Sequence, residues 1–84
     1  MNIGTFKGYN IYVSNKYPKK YYALVGNKKV YFGDVRYEHY YDKMGYYSNL
    51  NHLNKERRRL YRLRHKATHN KIGSPSWFSW YILW

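Results

Sequence analysis

Two runs rich in strand-forming residues, Tyr21 to Val25 and Lys28 to Phe32, are separated only by Gly26-Asn27, and this spacing constrains the chain more than any other feature. A two-residue connection between antiparallel strands needs a positive φ, which Gly supplies without steric cost in a type I′ or II′ turn. The turn sets the register. Val25 faces Lys28, Ala23 faces Val30 and Tyr21 faces Phe32 on one side, while Leu24 meets Lys29 and Tyr22 meets Tyr31 on the other. The first side is the core candidate. On the second, Tyr22 and Tyr31, flanked by Lys20 and Lys29, make a half-exposed aromatic ladder edged with positive charge, and ordinary cross-strand packing explains it as well as binding does.

Upstream, Tyr9, Ile11 and Val13 alternate with Asn10, Tyr12 and Ser14, the period of a half-buried strand that ends in the turn residues Asn15-Lys16-Tyr17-Pro18. Gly33 permits a bend after the third strand, and Asp34 is placed to accept from a backbone N–H two residues on. Periodicity disappears from Val35 to Asn51. The rings there, Tyr37, Tyr40, Tyr41, Tyr46 and Tyr47, suggest an irregular loop packed through its own side chains.

Asn54 then has the character of an N-cap, with Glu56 in the first turn of a helix running from Lys55 to about Thr68. Leu53, Leu60, Leu63 and Ala67 fall on one stripe, which predicts the core side. Lys55, Arg58, Arg59, Arg62, His65 and Lys66 gather on the opposite arc, and Arg57, Tyr61 and Arg64 on a flank. Ser74-Pro75 starts a second helix, in which Trp77, Trp80, Tyr81 and Trp84 follow helical spacing beside Phe78 and Ile82. The expectation is one α+β domain over 1–84: an antiparallel sheet over about 9–32, a tyrosine-rich loop over 35–53, a basic helix over 54–68 and an aromatic helix over 75–84.

A chain of 84 residues buries a thin core. Its 13 Tyr, 3 Trp and 3 Phe supply volume, and so many tyrosine hydroxyls imply that part of the aromatic surface faces water or a partner. Sixteen Lys and Arg against four acids leave a formal charge of +12, which speaks of an anionic or acidic partner. Without cysteine there is no disulfide or thiolate site. The start lacks a hydrophobic signal region and Trp77 to Trp84 is too short for a bilayer span, so a soluble protein made in a reducing compartment, with no membrane partner, is expected.

Catalytic groups are sparse. Asp34, Glu38 and Asp42 around His39 form a conceivable cation site, and His65 with His69 a partial zinc pair, but such acids more often neutralise arginines or cap turns. No cofactor is expected. The densest feature is Arg57-Arg58-Arg59 with Arg62 and Arg64, suited either to phosphates or, with tyrosine, to protein interfaces. Candidate partner-binding residues are therefore Lys55, Arg57, Arg58, Arg59, Arg62, Arg64, His65, Lys66, Tyr22 and Tyr31.

Three blocks in order, Val30-Tyr31-Phe32-Gly33-Asp34, Arg57-Arg58-Arg59-Leu60-Tyr61-Arg62-Leu63-Arg64-His65, and Ser76-Trp77-Phe78-Ser79 running to Leu83-Trp84, resemble a family of small, basic, uncharacterised proteins of large eukaryotic DNA viruses and some tailed phages. The likeness covers about two-thirds of the chain, and its motif positions are Phe32, Gly33, Asp34, Arg57, Tyr61, Arg64, His65, Trp77 and Trp84. It implies a viral setting and brings no catalytic residues. The expected function is a non-enzymatic minor capsid or cement protein bridging larger virion proteins, located in the virion after synthesis in the host cytoplasm or virus factory. The alternative is a genome-binding protein that meets DNA or RNA through the basic helix. A small metal-dependent nuclease is a third reading.

Overall fold

The computed structural model describes residues 2–84. Four strands, β1 (Asn2–Phe6), β2 (Tyr9–Val13), β3 (Lys19–Val25) and β4 (Lys28–Asp34), form an antiparallel meander in sequence order. The chain then runs through a loop with one 3-10 turn (Ser48–Leu50) to α1 (Lys55–Arg64) and α2 (Pro75–Phe78), which continues directly as a π-helical turn, Ser79–Leu83. This is the expected α+β arrangement, with one more strand.

The hairpin at Gly26-Asn27 forms with the predicted pairs, Val25 to Lys28 through Tyr21 to Phe32. Gly26 takes φ +63° while Asn27 stays outside the positive-φ region, as a type II′ turn requires. The predicted face is the core: Tyr21, Ala23 and Phe32 are buried, with Ile11 of β2. Phe78 stacks on Phe32 at 5.3 Å between ring centroids and meets Tyr9 edge-on at 5.4 Å, while Trp77 packs edge-on against Phe6 and Tyr9. The α2–π segment thus caps one side of the sheet.

Strand β1 carries no legible alternation because a bulge between Asn2 and Gly4 inserts an extra residue, with Gly4 at φ +138°. Ile3 and Phe6, three apart, then both pack on the core.

Both predicted caps are made. The Asn54 side chain accepts from the N–H groups of Glu56 and Arg57, and Ser74 accepts from Trp77 N–H with Pro75 in the first turn. α1 is shorter than expected, ending at His65 rather than near Thr68.

Gly33 sits at φ +77° opposite Lys20, where an added Cβ would lie 3.0 Å from both Leu83 Cδ1 and Lys20 Cδ. Only a residue without a side chain lets the Lys20 stem and Leu83 cross there. Gly33→Ala is expected to lower stability by about 1–3 kcal/mol, strain and contact together, read as a reduced midpoint in urea unfolding.

Candidate functional site

Helix α1 is seated the opposite way round from the predicted orientation. Leu53, Leu60 and Leu63, expected in the core, are 59%, 44% and 57% exposed, and Ala67 is exposed beyond the helix end. The inward stripe is Arg58, Tyr61, Arg62 and His65. Tyr61 stacks between His65 and Trp84, each 4.3 Å away, and Trp84 continues the column to His52 at 5.2 Å. Arg58 Nε and Arg62 Nη2 donate to the Trp84 main-chain oxygen at 2.8 and 3.1 Å. Arg58 also lies over the Tyr40 ring, and Arg62 over Trp80, whose ring stacks on His69.

The reason is charge at a helix end. The last carbonyls of the Pro75–Leu83 helical segment have no partner within it, and they carry its negative dipole end. Main-chain N–H groups of Tyr41 and Lys43 satisfy the Leu83 and Ile82 oxygens, and Arg58 and Arg62 satisfy that of Trp84 while offering a flat face for rings, which leucine cannot. Lys43 Nζ makes the same kind of contact to the Tyr81 carbonyl. Trp84 and Trp80 therefore pack on Tyr61, Arg62 and His69 rather than on leucines.

Of the predicted cationic patch, most is already engaged. Arg57 pairs with Glu38 at 2.8 Å, Arg59 with Glu56 on the next turn, and Arg58 and Arg62 are tied to Trp84. Arg64 makes no side-chain hydrogen bond or ion pair among the described residues, and Lys55 and Lys66 are exposed. Around the outward ridge of Leu60 and Leu63, the helical spacing puts Arg57 and Arg64 on one flank and Arg59 on the other.

A cleft lies on each side of this ridge. The larger, about 590 Å³, is lined by the end of β4, the following loop, α1 and the start of α2. Its walls include Phe32, Gly33, Asp34, Arg57, Tyr61, Arg64, His65 and Trp84, so every motif position except Trp77 converges here. Leu60 forms part of the same wall. The smaller, about 420 Å³, is lined by Leu63, Arg59, Arg62, Lys66, His69 and Trp80.

The floor of the larger cleft rests on a buried polar chain that sequence reading missed. Lys20 Nζ donates to the Tyr37 carbonyl at 3.0 Å and to His39 Nδ1 at 2.7 Å. Because an ammonium only donates, His39 Nδ1 accepts, and its Nε2–H points to Asn51 Oδ1 at 2.7 Å. Asn51 Oδ1 also accepts from Asp42 N–H, and Asp42 in turn accepts from Tyr21 OH, Met44 N–H and Tyr47 N–H. Lys20, His39 and Asp42 are each 2% exposed or less. Burial pulls the Lys20 ammonium down to about 8 despite the Asp42 and Asp34 charges. Burial, then the Lys20 charge, holds His39 below its usual range, and burial raises Tyr21. One trace of the arrangement is legible: the hairpin register sets Lys20 opposite a glycine, which leaves room for its stem.

The three acids expected around His39 do not share a site. Asp34 accepts from Arg36 N–H and pairs with the Arg36 guanidinium, whose hydrogen bonds hold its carboxyl down to about 2; Glu38 pairs with Arg57, and Asp42 lies within the fold. His65 and His69 also part company, one stacking on Tyr61 and the other on Trp80. No cluster of three His, Cys, Asp or Glu side chains able to hold a metal occurs among the described residues. No helix of the described residues is long and apolar enough to cross a membrane. Tyr22 and Tyr31 form a ladder with Tyr12 across the sheet, and Tyr31 also lines the larger cleft opposite Arg57, Leu60 and Arg64.

The chain matches no family model, no curated protein and no solved structure.

His39, His52 and His65 are all held below the ordinary histidine value of ~6.5, each first by burial. A lowered folded value means that the unfolded chain takes up protons first, so stability falls as pH drops below ~6.5. The thermal midpoint, followed by circular dichroism, is expected to decline steadily from pH 7 to pH 5, and His39→Gln to make that decline shallower. A midpoint flat over that range would contradict the assignment of neutral, acceptor-bearing histidines.

Proposed function

We propose that the protein is a non-enzymatic structural component of a viral particle, a small minor capsid or cement protein that seats on a larger, acidic subunit. The observation that carries the reading is the reversed helix: leucines on the outside of α1, guanidinium groups on both flanks, and a cleft on either side.

Leu60 and Leu63 face water with roughly half their surface, and covering them would contribute about 1 kcal/mol each at ordinary transfer values. Leu53, also exposed just before the helix, has its backbone at φ +54°, a region that bulky residues rarely occupy. A leucine held in strain on the surface favours a role outside the chain's own core. The occupant's chemistry follows from charge. A net charge of +12 disfavours a second copy of the chain, while Asp and Glu around an apolar surface would meet Arg64 on one flank and Lys66 on the other, both exposed and without an ion pair among the described residues.

A phosphate backbone gains nothing from two leucines at the centre of its contact, and four of the five arginines of α1 already have partners within the fold. The geometry of α1 therefore favours protein over nucleic acid. The viral setting rests on the resemblance of the three sequence blocks.

Leu60→Glu combined with Leu63→Glu is expected to leave stability within about 0.5 kcal/mol, as exposed substitutions do. The same variant should vanish from purified, nuclease-treated particles in which the wild-type protein is present at fixed stoichiometry. Retention of the variant at wild-type copy number would dismiss the leucine ridge, and absence of the wild type from particles would dismiss the structural role.

A further inference from the structure

The side of the sheet turned away from α2 carries a second surface. Tyr12, Tyr22 and Tyr31 occupy neighbouring positions on β2, β3 and β4, Tyr12 opposite Tyr22 and Tyr22 opposite Tyr31. The first two rings are parallel, with centroids 4.9 Å apart and planes 6° apart; the third follows at 5.3 Å, tilted. Lys29 Nζ lies 5.0 Å from the Tyr22 centroid and Lys16 Nζ 5.2 Å from that of Tyr31. Among the described residues no other ring and no cation lies over Tyr12, so the aromatic stack ends at this half-buried ring. Only one acidic residue occurs in the four strands, Asp34 at the far end of β4, and Arg36 neutralises it.

We propose that this ladder is a binding platform for single-stranded nucleic acid, distinct from the leucine ridge of α1. Two kinds of group recognise an unpaired nucleotide without regard to sequence, a flat π-surface for the base and a cation for the phosphate. Each lysine–tyrosine pair here holds both. A base extends the stack at Tyr12 or displaces an ammonium from the Tyr22 or Tyr31 ring, and the displaced lysine turns to the adjacent phosphate. Duplex nucleic acid keeps its base faces covered and meets only the charge, so the platform discriminates by strandedness.

The test is fluorescence anisotropy with labelled oligothymidylate and a random duplex of equal length, over a series of salt concentrations. The wild-type protein is expected to prefer the single strand. Tyr12→Leu and Tyr22→Leu should each weaken single-strand binding on the order of tenfold, the loss of one stacked base, and leave duplex binding unchanged. Tyr22→Phe, which keeps the π-face, should retain it. Lys16→Gln with Lys29→Gln should flatten the single-strand salt slope by about 1.4, for two phosphate contacts. Leu63→Glu, on the side of the ridge away from the cleft that Tyr31 lines, should bind as the wild type does, which separates this surface from the ridge.

Equal affinity of the wild type for single strand and duplex, or no measurable single-strand binding, overturns the proposal. So does unchanged single-strand affinity in a folded Tyr→Leu variant. Should those variants fail to fold, the wild-type strand preference and the lysine pair decide.

Discussion

Two guanidinium groups on one carbonyl oxygen hold the helical half of this protein in place. Arg58 and Arg62 converge on the Trp84 main-chain oxygen, and the indole of the same residue lies flat against Tyr61. Hydrogen bonds from charged donors contribute about 1.5–3 kcal/mol each, and a stacked aromatic pair about 0.5–1.5 beyond its burial. An alternative seating that buried Leu60 and Leu63 would gain their transfer energy but strip the Trp84 main-chain oxygen of both guanidinium donors. The polar seating wins because it satisfies a helix end and packs rings in one step. Every property of the outer surface of α1 follows from that choice.

The sheet fixes where this seating occurs. Phe78 stacks on Phe32 and sets the line of the terminal helical segment, which carries Trp84 to the edge of β4. The loop between β4 and α1 is held by buried polarity rather than by rings. Lys20, His39, Asn51 and Asp42 form one continuous hydrogen-bonded chain, while Tyr37, Tyr41 and Tyr46 stay exposed. A buried hydrogen-bonded network of this kind favours one conformation of the loop, and the larger cleft inherits its shape.

The four acids are all consumed internally, three in surface ion pairs and Asp42 in the core, so the unpaired charge of the surface is entirely cationic. That charge is distributed over two unlike surfaces. On α1 it borders leucines, chemistry suited to an acidic protein. On the sheet it borders a row of tyrosines, chemistry suited to unpaired bases.

Local chemistry carried the strands and caps. Gly26-Asn27 determined the hairpin and its register, Asn54 and Ser74 the helix starts, and Asp34 its own turn, because each of these depends on atoms only a few residues apart. Strand β1 escaped because one bulge shifts Ile3 and Phe6 out of alternation. The orientation of α1 and the Lys20–His39–Asn51–Asp42 chain were decided only in the tertiary structure. Helical periodicity records which residues share a face, but which face turns inward depends on what awaits it, here the Trp84 main-chain oxygen and the open face of its ring. Leucine is the usual inward residue where the surroundings are apolar, and this chain offers α1 a carbonyl and a ring instead.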